Sequence, residues 1–71
     1  MLGTKIKEYI DEHGLKQKKI AAEAGLTVQT FNDMLNGRRR IETIEYFNIC
    51  KALGVSISYF AERMGYIEKT A

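Results

Sequence analysis

Gln29, Asn32, Asp33 and Asn36 fall within eight residues of one another and are followed at once by Gly37 and the triplet Arg38, Arg39 and Arg40. A carboxamide presents a donor beside an acceptor, the pairing that adenine offers at N6 and N7 in the major groove of duplex DNA. A carboxylate such as Asp33 accepts from cytosine N4, and the methyls of Val28 suit the thymine methyl. Guanidinium groups pair with phosphate oxygens in a planar fork. Residues 28–40 therefore combine groups that read base edges with groups that hold a phosphate backbone.

Other residues with reactive side chains lack the partners that reactions need. His13 stands alone near a helix C-terminus, where its charge is mildly favourable, and no His or Cys at ligand spacing accompanies it as a metal site requires. Cys50, the one cysteine, is expected to fill core space as a small apolar group. No histidine base lies near it in the pattern, so it is not read as a nucleophile. The acids are scattered over helix surfaces without a catalytic pair. The chain is read as a non-enzyme with no metal and no cofactor.

The elements that position residues 28–40 are all helical. Ile6, Tyr9, Ile10 and His13 form the i, i+3, i+4, i+7 stripe of a helix over residues 5–13. A second helix, 17–24, turns Ile20, Ala21 and Ala24 inward. A third, 28–36, has Thr27 as N-cap and Phe31, Met34 and Leu35 facing in. A fourth, 44–53, is expected to bury Ile44, Phe47, Cys50 and Leu53 with Thr43 as cap. Ser56 caps a fifth in "ISYFAER", burying Ile57 and Phe60. Glycines 14, 25, 37, 54 and 65 punctuate these segments where a helix end needs a left-handed residue, and the chain has no proline. The expected fold is an all-α, compact five-helix bundle over residues 1–64, with 65–71 a short tail that is frayed or used in self-association.

Gly25-Leu26-Thr27 joins the second helix to the third in three residues, which forces the sharp angle of a helix-turn-helix over about residues 17–36. Ala21 is the small residue where the backbones approach, Leu26 plugs the core beneath the turn, and Phe31 pins the second member. At about 100° per residue, Gln29, Asn32, Asp33 and Asn36 all fall on the side opposite Phe31. The amides thus form a polar face on a helix held from behind. Lys16 and Gln17, with the amide donors at the start of the second helix, offer a further phosphate contact.

Charge agrees with that placement. The 71-residue chain has a net charge of only +2, yet residues 15–40 carry +4 and the segments on either side carry −1 each. A basic patch on a nearly neutral chain points to a polyanion. A domain of this size hides only about 60% of its unfolded surface, leaving little room for a deep catalytic cleft. A single cysteine, no apolar run of membrane-spanning length and no signal-peptide hydrophobic region suggest a cytoplasmic protein. A small-molecule ligand within this chain is not expected.

The pattern "LKQKKIAAEAGLTVQTFNDMLNGRRR", with "CKALGVSISYF" after it, resembles the lambda-repressor-like, Cro/CI-type (XRE) helix-turn-helix family. Gln17, Ala21, Gly25, Phe31, Asn36-Gly37 and the closing "ALGVS" fall at family spacing, over Ile6 to Phe60. The resemblance implies a bundle whose third helix enters the major groove, with Val28, Gln29, Asn32 and Asp33 facing bases. It implies that Gln17 contacts phosphate and orients Gln29, and that Asn36 and Arg38 touch the DNA backbone. Lys16, Lys18, Thr27, Arg39 and Arg40 complete the expected backbone set. Members of the family act as dimers on two-fold symmetric operators, often as phage or plasmid regulators, stress regulators or antitoxins. Lys16 stands where many members place a Ser or Thr cap, so the second helix is expected to begin with a weaker one. Asp33 turns a negative charge toward DNA, which costs affinity unless a cytosine or a neighbouring arginine answers it. The expected function is a sequence-specific, homodimeric transcriptional repressor on double-stranded DNA. The alternative is a protein-binding adaptor or antitoxin-type component, with Tyr59, Met64, Tyr66 and Ile67 as its apolar surface.

Overall fold

The computed structural model describes residues 1–65, so the expected tail beyond Gly65, and with it Tyr66 and Ile67, lies outside the described residues. Five helices follow in order, α1 (Leu2–Glu12), α2 (Gln17–Glu23), α3 (Val28–Leu35), α4 (Thr43–Leu53) and α5 (Tyr59–Arg63). No strand occurs among the described residues. α2 packs against both α3 and α4, while α1 packs against α3 and α5. One apolar cluster joins all five, formed chiefly by Ile6, Ile10, Ile20, Ala21, Phe31, Met34, Leu35, Ile49, Cys50 and Phe60.

The helix ends follow local chemistry. Thr27 accepts from the Thr30 backbone N–H through its hydroxyl at 3.1 Å, capping α3 as its sequence suggests. Lys16 precedes α2 without a side-chain cap. The cap of α4 is Glu42 and not the expected Thr43, because the Glu45 carboxylate reaches back to the Glu42 backbone N–H at 2.9 Å. α5 begins at Tyr59 with Ser58 before it, two residues later than a cap at Ser56 implies. The Tyr46 hydroxyl donates to the Ile57 carbonyl, which ties the α4–α5 connection to α4 in a non-helical path.

The inward faces of α2 and α3 are those expected from periodicity. That of α4 is rotated. Ile49 is fully buried and Cys50 nearly so, whereas Ile44 is 67% and Phe47 41% exposed, and Ile57 is exposed as well. Helix α4 has two overlapping apolar stripes. The stripe through Tyr46, Ile49, Cys50 and Leu53 meets the bundle, leaving Ile44 and Phe47 outside. His13, which follows the last turn of α1, is also exposed. Its ring stacks on Tyr9 with centroids 3.9 Å apart, and its Nδ1 pairs with the Tyr9 carbonyl at 2.9 Å.

Gly3, absent from the punctuation pattern, has a packing role. It is buried in the first turn of α1 against the last turn of α3. A Cβ there would overlap the Met34 carbonyl oxygen and lie 3.1 Å from Leu35 Cα. Hydrogen alone lets the two backbones approach that closely.

Candidate nucleic-acid interface

α3 is fastened on its inner side. Phe31, Met34 and Leu35 are each at most 2% exposed, and Ala21 of α2, the helix that packs on α3, is 1% exposed. Gly25, at φ +75°, makes the turn between them. The Leu26 backbone N–H donates to the Ala21 carbonyl at 2.9 Å and closes the end of α2. The opposite side of α3 is thereby fixed in direction as well as in composition.

On that side Val28, Gln29 and Asn36 are exposed, and Asn32 and Asp33 are half-buried. The four polar side chains do not stand as separate groups. Gln29 Nε2 donates to Asp33 Oδ1 at 3.0 Å. Asn36 Nδ2 donates to the Asn32 carbonyl at 2.8 Å and to its Oδ1 at 3.2 Å. Gln17 Nε2 donates to Asn32 Oδ1 at 3.3 Å. Gln17 therefore orients Asn32 and not, as the family resemblance implies, Gln29, which Asp33 holds one turn away. The same bond sets the start of α2, flanked by Lys16 and Lys18, beside the middle of α3.

The arginine triplet divides into three different situations. Arg38 pairs with Asp33, with Nε at 3.2 Å and Nη2 at 3.1 Å from Oδ1. Arg39 makes a bidentate pair with Glu45, Nη1 to Oε1 at 3.0 Å and Nη2 to Oε2 at 2.9 Å. That pair raises the Arg39 pKa and holds the Glu45 carboxyl below its ordinary value, the hydrogen bond being the main cause of each shift. Arg40 has no side-chain ion pair among the described residues. Arg39 thus braces the α3–α4 connection against the first turn of α4, and Arg40 is the member most available to a phosphate.

The structure brings together Gln17, Val28, Gln29, Asn32, Asp33, Asn36 and Arg38 on or beside one face of α3. Thr27 sits at its start with its hydroxyl used as the cap. Spacing alone did not reveal the pairings of Asp33 and Glu45. The first needs the chain to turn at Gly37 (φ +77°) before Arg38 can return to α3. The second spans six residues across a non-helical link. An acid near each arginine was the available signal. Cys50 lies away from this face in the core, and burial pushes its thiol pKa up, disfavouring the thiolate.

Comparison with known proteins places this geometry. The structure resembles that of the clp gene regulator ClgR from C. glutamicum, with a TM-score of 0.81, covering 97% of this chain and 91% of that one. Sequence identity is 18%, so the likeness is one of fold. No curated protein matches the chain. The family model described as Helix-turn-helix, HTH_3, matches residues 6–60, from the first buried isoleucine of α1 to the buried Phe60 of α5. The packing of α2 on α3, the Gly25 turn and this match agree, and the chain belongs to the XRE-type helix-turn-helix family.

Proposed function

We propose that the chain is a DNA-binding transcriptional regulator, most simply a cytoplasmic repressor that occupies a promoter. The observation that carries this reading is the outer face of α3, where Val28, Gln29, Asn32 and Asp33 are presented by a helix locked from behind by Phe31, Met34 and Leu35. In this reading α3 lies in the major groove and those four residues meet base edges. Lys16, Gln17, Lys18, Thr27, Asn36 and Arg38 to Arg40 flank the phosphates, with Arg40 and the lysines supplying charge. Membership of the family supports the same assignment, as does the description of the structural neighbour as a gene regulator.

The regulator acts as a homodimer on a two-fold symmetric operator. Ile44 and Phe47 share one side of α4, and the Tyr46 hydroxyl holds the Ile57 carbonyl against the same helix. Exposed apolar residues grouped in this way mark a protein–protein contact. They also suit the adaptor or antitoxin reading, in which the main partner is another protein. No helix among the described residues is long and apolar enough to cross a membrane.

Selection from random duplex DNA at near-physiological salt tests the assignment. Enrichment of a two-fold symmetric motif, with half-sites about one helical turn apart, is expected. Gln29→Ala should then cost about 1–3 kcal/mol on the selected site and little on random duplex. Equal loss on both would remove Gln29 from base reading. Absence of any enrichment, with the chain monomeric by light scattering, would favour the adaptor.

A further inference from the structure

Three donor atoms converge on one oxygen of Asp33. Gln29 Nε2 and the Arg38 Nε and Nη2 all lie 3.0–3.2 Å from Oδ1. The backbone beneath this cluster is separately fixed, since the Arg38 and Arg39 N–H groups donate to the Asp33 carbonyl at 2.8 and 3.3 Å. The Arg38 side chain is 59% exposed and that of Asp33 30%. The guanidinium can therefore exchange partners without any movement of the chain that carries it.

We propose that Asp33 is a specificity switch for Arg38. In the free protein, and on DNA of the wrong sequence, the carboxylate retains Arg38 and Gln29. On the right sequence the N4 amino group of a cytosine takes over the carboxylate and releases Arg38 to a phosphate. The inference rests on the DNA-binding reading and adds to it how one ion pair sorts sequences.

The physical reason lies in what each sequence offers Asp33. Most base-edge groups in the major groove are acceptors, namely N7 and O6 of guanine, N7 of adenine and O4 of thymine, and the N6 amino donor of adenine sits beside its N7 acceptor, which repels a carboxylate. A carboxylate set against them, with phosphates on either side, has nothing to bind except its own arginine. The pair then adds no net charge to the interface, and non-specific attraction stays weak. The N4 amino group of cytosine is a donor that satisfies Asp33 from outside. Arg38 is then free to neutralise a phosphate, so that one base pair controls both a base contact and a backbone contact. Gln29 is released by the same exchange and can turn its amide toward an adjacent adenine.

The test is a double-mutant cycle of Asp33→Asn and Arg38→Ala, with each protein titrated over a range of salt on the selected duplex and on random duplex. One neutralised phosphate changes the log–log salt slope by about 0.9, or about eightfold in affinity at 0.1 M salt. Arg38→Ala should lose about that increment on both duplexes, on the selected one because a phosphate contact goes and on random duplex because Asp33 is left unanswered. Asp33→Asn should gain about the same increment on random duplex, and so compress the preference. On random duplex, where the pair is retained, the two effects should add and leave the double variant near wild type, whereas on the selected duplex, where the pair is exchanged, they should not add.

Additive effects of the two substitutions on the selected duplex would overturn the switch, since the pair would then be intact there. So would an Asp33→Asn gain as large on the selected duplex as on random duplex, since that gain would be plain removal of repulsion. A selected motif without a C·G pair facing α3 would overturn it as well. A wild-type chain that binds neither duplex would instead defeat the DNA-binding reading, and the switch with it. Unchanged melting curves show that each variant is folded.

Discussion

Replacing Gly3 by alanine sets helix propensity directly against packing. Gly3 lies in the first turn of α1, where alanine is intrinsically better by about 1 kcal/mol. Propensity alone therefore predicts a more stable protein. The added Cβ, however, would overlap the Met34 carbonyl oxygen and approach the Leu35 Cα and carbonyl oxygen, each at 3.1 Å. All three atoms belong to the backbone of α3, so no side chain can rotate away. Relief requires α1 and α3 to separate, which loosens the contacts of Ile6 and Leu35 at the centre of the core. Overpacking costs about 1–3 kcal/mol, and a deep overlap with backbone belongs at the upper end. After the propensity gain, the net loss is about 2 kcal/mol. For a domain of this size each kcal/mol lowers Tm by about 4–8 °C, so a fall of about 8–16 °C is expected by far-UV circular dichroism. Thr4→Ala, at the neighbouring exposed position, should leave Tm nearly unchanged or raise it slightly. A Gly3→Ala protein that melts at or above wild type would refute the close approach of α1 to α3.

Three further outcomes check other parts of the structure. Ile49→Ala should cost about 2–5 kcal/mol in urea denaturation, whereas Ile44→Ala should cost less than about 0.5 kcal/mol. Similar costs would mean that α4 presents its other stripe to the core. Glu45 is held below its ordinary pKa of 4.5 by Arg39, so its contribution to stability is complete above that value and is lost as pH falls through the lower folded value. The Tm difference between wild type and Glu45→Gln should accordingly be full at neutral pH and shrink in acid. A difference independent of pH would discount the ion pair. Arg40→Ala should weaken binding alike on all duplexes and flatten the salt slope by about 0.9, while Arg39→Ala, removing a brace already paired with Glu45, should flatten it less. Equal effects would show that Arg39 leaves Glu45 on binding.

The helix-turn-helix was legible because everything that specifies it is local. Phe31, Met34 and Leu35 recur at helical spacing, Thr27 caps α3 after the turn at Gly25, and Ala21 is small on the buried side of α2. The outward direction of Gln29, Asn32 and Asp33 then follows from 3.6 residues per turn. Helix α4 was legible as a helix but not in its orientation. Its sequence supports one apolar stripe through Ile44 and Phe47 and another through Tyr46 and Ile49. Only the packing of α2 on one side decides between them, burying Ile49 and leaving Ile44 exposed.

The site divides in the same way. Side-chain type and helical phase, both properties of the chain itself, showed which groups α3 would present. Which group holds which was decided by tertiary structure. Gln17 reaches Asn32 across the α2–α3 crossing, and Arg38 returns to Asp33 only because the chain turns at Gly37. Gly3 is the extreme case, since a glycine in a helix has no local purpose and its role exists only where another backbone comes against it. Periodicity is written along one segment, whereas contact depends on where a second segment lies, and that position is settled by burial of the whole core at once.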